Sequence, residues 1–140
     1  MKTAIIFPGQ GSQSKGMGID VFDRFPDLVE QANIELGFSL SNICLNDSND
    51  QLGQTQFTQP ALYLVSYLEA RTRIEDGLSP SLAAGHSVGE FAALATAGAF
   101  SFLDGLQMVS KRGEIMSKVQ GGGMAAVIGM DADSIHSTME

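Results

Sequence analysis

The chain has 140 residues, with 8 Lys and Arg against 16 Asp and Glu, for a formal net charge of −8. That balance excludes retention of nucleic acid or an anionic membrane by the overall field, and 44% hydrophobic with 17% charged residues excludes disorder. The single cysteine, Cys44, excludes an internal disulfide, no apolar run reaches the roughly 18 residues of a membrane span, and Ala4–Phe7 is too short for a secretory signal: the expectation is a soluble, cytoplasmic, globular protein.

In chain order, Thr3–Phe7 is an Ile-rich apolar run stopped by Pro8-Gly9 and predicts a buried strand. Gly9, Gly11, Gly16 and Gly18 mark a loop of unusual backbone freedom. Helical spacing returns from Ile19 to about Leu36 and is broken at Pro26, which predicts two short helices. Residues 45–56 are polar and turn-rich and read as a surface loop. Thr58-Gln59-Pro60 opens a long helix to about Ile74, with Thr58 as cap and Pro60 in the first turn, and Gly77–Pro80 ends it. Ser81–Gly85 reads as a small-residue strand, and the Ala-rich stretch from Val88 to Ala97 as a helix packed close to a sheet.

Ser101 with Asp104 has the spacing of a capping box and opens a helix to about Val119. Gly121-Gly122-Gly123 is a hinge candidate, Met124–Met130 a further strand, and Asp131–Ser134 starts a last helix. Alternating strands and helices predict an α/β fold with a parallel sheet. The three strands make a thin sheet, so the chain reads as the N-terminal part of something longer, divided at residues 1–122 and 123–140.

Three features carry chemistry. Gly85-His86-Ser87-Val88-Gly89 matches G-x-S-x-G, in which a serine sits on a sharp strand-to-helix turn and flanking glycines relieve crowding. The required strand precedes it and the required helix follows, although a tight turn with an incidental serine also fits the bare motif. The loop from Gly9 to Gly16 occupies the place of a phosphate cradle but fails both patterns: Ser14 stands where G-x-G-x-x-G needs glycine, and Met17-Gly18 follow Gly16 where a Walker loop needs Lys and Ser or Thr. It is read instead as a loop presenting a backbone N–H beside Ser87, or as a plain turn. Arg112 lies on the flank of a helix face formed by Phe102, Leu106, Val109 and Met116. A guanidinium there either snorkels and pairs with a structural carboxylate or clamps a substrate carboxylate. Cys44 has no Cys or His at metal-ligand spacing, and no metal site is expected.

Taken in order, Phe7-Pro8-Gly9-Gln10-Gly11-Ser12-Gln13, Thr58-Gln59-Pro60-Ala61, Gly85-His86-Ser87-Val88-Gly89-Glu90, Lys111-Arg112-Gly113-Glu114-Ile115-Met116 and Gly123-Met124-Ala125-Ala126-Val127 resemble the malonyl-CoA:acyl carrier protein transacylases. These include the discrete and embedded acyltransferases of fatty acid and polyketide synthases. The resemblance covers essentially the whole chain. It implies an α/β-hydrolase-like large subdomain followed by the start of a ferredoxin-like small one. It further implies ping-pong transfer with Ser87 as nucleophile, the backbone N–H groups of Gln10 and Val88 as oxyanion donors, and Arg112 on the malonyl carboxylate. Gln59, His86 and Met116 would line the substrate pocket.

Val88 at the variable elbow position resembles malonyl-selective members. Malonyl-CoA would be the substrate and an acyl carrier protein the acceptor, with no tightly bound cofactor. Family members are longer, and their catalytic histidine would fall beyond residue 140. His136 is then an ordinary exposed residue, and the expectation is a fragment, or a chain completed by another polypeptide. Two other readings stay open: an acyl-thioester hydrolase on the same scaffold, against which Arg112 argues, and a non-catalytic module that binds a carrier protein.

Overall fold

Strands β1 (Ala4–Phe7) and β2 (Leu82–Gly85) pair in parallel, with Ala4 opposite Leu82 and Phe7 opposite Gly85. This two-stranded sheet is the one sheet among the described residues of the computed structural model, which are 2–122 and 127–139. Both strands stop where the chain must turn: β1 at Pro8-Gly9, which cannot continue a ladder, and β2 at the Gly85 elbow.

The connection between them holds four helices, α1 (Ile19–Phe22), α2 (Pro26–Leu36), α3 (Leu40–Asn46) and α4 (Thr55–Glu75). Pro26 at the first position of α2 separates it from α1, as the sequence predicted. After β2 come α5 (Gly89–Thr96), α6 (Phe102–Ser117) and α7 (Ala132–Met139). Ser101 and Asp104 form the expected capping box at the start of α6. Asp131 caps α7 through the Ser134 N–H.

Helix α4 is the centre of the packing. Every residue from Thr58 to Leu68 is buried, as befits a helix enclosed on all sides. Leu64 and Leu68 of α4, Leu106 and Val109 of α6, and Ala92 of α5 are fully enclosed in one core. Each buried leucine contributes roughly 1.5–3 kcal/mol. Tyr63 reaches across to α6, its hydroxyl donating to the Phe102 carbonyl at 2.9 Å. At the far end Arg24 pairs with Glu75 and Asp76, fastening the α1–α2 corner to the end of α4.

Four expectations are corrected. Helix α4 starts at Thr55, not Thr58, so Pro60 lies inside it. The missing Pro60 N–H frees the Gln56 carbonyl, and Thr58 Oγ1 donates to the Leu52 and Gln54 carbonyls instead of capping. Residues 45–56 are not one loop: Leu45 and Asn46 end α3, Thr55 and Gln56 begin α4, and the turn between is organised by the Asp47 carboxylate, which accepts from the Gln51 and Leu52 N–H groups.

The strands are not buried on both faces, since Ile6 is 77% and Leu82 64% exposed. Among the described residues α5 packs against both strands, and its cover does not reach Ile6 and Leu82. Finally, residues 127–130 lie in no strand, and Gly123, Met124, Ala125 and Ala126, which complete the predicted hinge and strand, lie outside the described residues. Among the described residues no helix is long and apolar enough to cross a membrane.

Candidate active site

The turn between β2 and α5 holds Ser87 at φ 55°. The left-handed region is uncommon for a residue with a β-carbon, and only Asp47 and Asp50 share it among the described non-glycine residues. Aspartate tolerates that conformation by bonding its own backbone; for serine at an elbow it is strain held in place by the surroundings. The surroundings are specific. The His86 N–H donates to the Phe7 carbonyl at 3.0 Å and the Gly89 N–H to the His86 carbonyl at 3.0 Å. A β-carbon on Gly85 would overlap the Gly89 carbonyl and the Glu90 N–H, and one on Gly89 would run into the Phe7 and Pro8 carbonyls. Both glycines of the motif are therefore required by close backbone approach.

The loop after β1 lies against this elbow. A β-carbon on Gly9 would collide with the His86 ring and carbonyl, so His86 packs onto the loop. Its neighbour Gln10 and the elbow residue Val88 each carry a backbone N–H that donates to no acceptor among the described residues. Gly11, at φ 106°, lets the loop turn away immediately after Gln10.

Helix α6 brings a cation to the serine. Arg112 Nη2 donates to Ser87 Oγ at 3.1 Å and Nη1 to Gln59 Oε1 at 2.7 Å. Gln59 is fully buried on α4, and its Nε2 donates to the Met116 sulfur at 3.2 Å and to Gln10 Oε1 at 3.5 Å. The approach of α6 to the first turn of α4 is permitted by Gly113, where a β-carbon would lie 3.0 Å from the Thr55 carbonyl oxygen. Arg112 is half-buried and pairs with no carboxylate among the described residues. The neighbouring cations do pair: Lys111 on α6 and Lys118 just past its end both hold Glu114.

The structure thus brings together Ser87, Arg112, Gln59, Met116 and Gln10 through direct contacts, with Val88 adjacent in the chain and His86 against the Gln10 loop. His136 is exposed on α7, and neither it nor His86 hydrogen-bonds Ser87 among the described residues. One contact was missed from sequence: Gln10 Nε2 donates to Thr55 Oγ1 at 3.1 Å. Thr55 and Gln59 share a face at i and i+4, a signal hidden by placing the helix start at Thr58. Among the described residues no group of three or more His, Cys, Asp and Glu is placed to hold a metal ion.

Residues 4–138 match the family model described as the acyl transferase domain. The chain belongs to that family.

Among relatives of this acyl transferase chain, a polyketide biosynthesis protein, ThaF of Burkholderia thailandensis, is 56% identical over 129 residues, covering 91% of this chain and 11% of that protein. The polyketide biosynthesis malonyl CoA-acyl carrier protein transacylase BaeC of Bacillus velezensis is 50% identical over 136 residues, covering 96% of this chain and 47% of that one. The crystal structure of a malonyl CoA-acyl carrier protein transacylase from Burkholderia pseudomallei superposes with a TM-score of 0.96 at 49% identity, covering 99% of this chain and 48% of that one. The acyl transferase chain therefore spans about half the length of these two transacylases, and its α/β architecture superposes on the matching part of the Burkholderia pseudomallei enzyme.

Proposed function

We propose that this acyl transferase chain takes part in moving a malonyl group from coenzyme A to the phosphopantetheine thiol of an acyl carrier protein, through an ester on Ser87. The observation that carries the reading is Arg112: a half-buried guanidinium beside the serine, held by neutral Gln59 and without a carboxylate partner among the described residues. A site that leaves such a charge unpaired is suited to an acyl group that brings its own carboxylate. The names of BaeC and of the Burkholderia pseudomallei enzyme point to the same substrate and acceptor. Another similar structure, with a TM-score of 0.84 and 37% identity, is a polyketide acyl-carrier protein in complex with its malonyl-transacylase.

In this mechanism Ser87 Oγ loses its proton to a base and attacks the thioester carbonyl. The Gln10 and Val88 N–H groups donate to the resulting oxyanion. The intermediate collapses to malonyl-Ser87 as the C–S bond breaks, and the CoA thiolate takes the proton from the base. The carrier thiol then attacks the ester, and Ser87 recovers a proton as malonyl leaves on the new thioester. His86 holds the Gln10 loop, and Gln59 and Met116 line the acyl pocket. The base is assigned to a histidine outside this sequence. Acyl exchange moves no electrons, and the reading calls for no tightly bound cofactor. Residues 1–122 belong to the hydrolase-like subdomain in this reading, and 123–140 open the ferredoxin-like one. The lone buried Cys44 fits a reducing, cytoplasmic setting.

The test is the intact mass of the full-length protein carrying this sequence after brief exposure to malonyl-CoA, with acetyl-CoA and Ser87→Ala as controls. The expected result is a malonyl adduct that is selective over acetyl, absent in the variant, and stable until a carrier protein is added. An adduct that water clears without an acceptor makes the protein a thioester hydrolase. No adduct overturns the catalytic reading in favour of a carrier-binding module.

A further inference from the structure

Four polar side chains lead away from Ser87, and their direction is fixed by chemistry. A guanidinium only donates, so Gln59 must turn its oxygen to Arg112 Nη1, as it does at 2.7 Å. Its Nε2 then faces Gln10 Oε1, which turns Gln10 Nε2 toward Thr55, where the hydroxyl oxygen accepts at 3.1 Å. Thr55 is the terminal acceptor of the chain Arg112–Gln59–Gln10–Thr55. Thr55 and Gln59 are one turn apart on α4, and the Gln10 carboxamide bridges them.

The bridge matters because of what Gln10 is joined to. It stands between Gly9 and Gly11, the latter at φ 106°, so side-chain bulk on its neighbours does little to fix its backbone. Among the described residues the loop's other polar contacts are internal, Ser12 Oγ to the Gly9 carbonyl at 2.7 Å and the Gly11 N–H to Gln13 Oε1 at 2.8 Å, or lie at its far end, where the Gly16 N–H donates to the Cys44 carbonyl of α3 at 2.8 Å. They shape the loop but do not orient it on α4. The Gln10 side chain is the polar tie between the loop and the first two turns of that rigid, buried helix.

We propose that Thr55 is a positioning residue for acyl transfer, holding the Gln10 side chain so that the Gln10 backbone N–H stays aimed at the oxyanion beside Ser87. The inference rests on the reading of Ser87 and Gln10 given above. It has a distinctive signature. An oxyanion forms on every acyl group, so loss of Thr55 slows malonyl and acetyl loading by the same factor and leaves the Arg112-based preference between them intact.

The experiment measures single-turnover acylation of the full-length protein by malonyl-CoA and acetyl-CoA. Thr55→Val keeps the shape and removes the acceptor; it should lower the maximal rate about tenfold for both thioesters, as expected for one lost hydrogen bond expressed in the transition state. KM should move less than about twofold, and Thr55→Ser should restore the rate to within about twofold. Because Thr55 sits at a helix start, Gln10→Met supplies an independent route: Gln10 is exposed, the substitution removes the same bond, and adding Thr55→Val to it should cost nothing further.

An unchanged rate in Thr55→Val, a loss confined to malonyl, failure of serine to rescue, or additive effects of the two substitutions would each overturn the proposal. Absence of a Ser87-dependent adduct in the parent protein would instead overturn the transferase reading itself.

Discussion

Arg112 Nη2 lies 3.1 Å from Ser87 Oγ. The serine oxygen is the acceptor in that contact, so the hydroxyl proton is free to be handed to a base, and in the function proposed above the cation is the partner of a carboxylate on the acyl chain. Replacing Arg112 by Met keeps much of the volume and removes the charge. Malonyl loading should fall by about 10²-fold or more, with acetyl loading unchanged or raised. The ratio of the two second-order rate constants measures this directly.

Ser87 also makes a stability prediction. At φ 55° it occupies a conformation that glycine adopts without penalty. Ser87→Gly should raise stability by about 0.5–1 kcal/mol while abolishing the adduct, whereas Ser87→Ala, equally inert, keeps the β-carbon and gains nothing. Urea unfolding of the three proteins side by side distinguishes strain from loss of the hydroxyl.

The elbow and the capping box were legible in the sequence because each is local: Gly85 to Gly89 and Ser101 to Asp104 carry their own geometry in a few residues. Helix α3 was not. Leu-Ser-Asn-Ile-Cys-Leu-Asn is poor in strong helix formers, and it is held by the Ser39 cap on the Asn42 N–H and by burial of Leu40, Ile43 and Cys44. The start of α4 was misplaced because Thr58 and Pro60 mimic a helix opening, while the packing of Gly113 on Thr55 that covers the true first turn is a tertiary fact. Exposure of Ile6 and Leu82 was equally invisible, since an apolar run says which residues want cover but not what covers them. Arg112, by contrast, was placed correctly on its helix flank, but only the structure could show that its partners are Gln59 and Ser87 rather than an acid.

Cys44 gives a pH dependence. Burial, with a smaller contribution from Asp47, pushes its thiol up to about 12 from an ordinary 9.0. A group that titrates higher when folded contributes stability fully below the unfolded value and loses it as pH rises through the folded one. Stability should therefore decline between pH 9 and about 12, and Cys44→Ala should flatten that limb of the urea-midpoint profile. In the folded protein the thiol should also resist iodoacetamide at pH 8 and react once urea opens the core.

Glu114 gives the opposite sign. Hydrogen bonds from Lys118 and Lys111 hold its carboxyl down at about 2, so its contribution to the end of α6 is present above the ordinary value of 4.5 and is lost as pH falls through about 2. Glu114→Gln should lower the thermal midpoint slightly at pH 6, by an amount that 1 M salt diminishes. The difference from the parent should shrink as pH falls below 4.5 and vanish below about pH 2.

The pairing of Phe7 with Gly85 has a consequence in time as well as in space. The two loops that meet around Ser87 leave the ends of strands that are distant in the chain, and a parallel ladder of such residues should close late, after the helices between them have formed. If Ser87 is the nucleophile proposed above, its competence should therefore be gained at the end of folding and not during it. On that reading a nascent or partly unfolded molecule should present no prematurely reactive serine to be acylated at random. The rate at which Ser87 becomes reactive during refolding would report the moment the ladder closes.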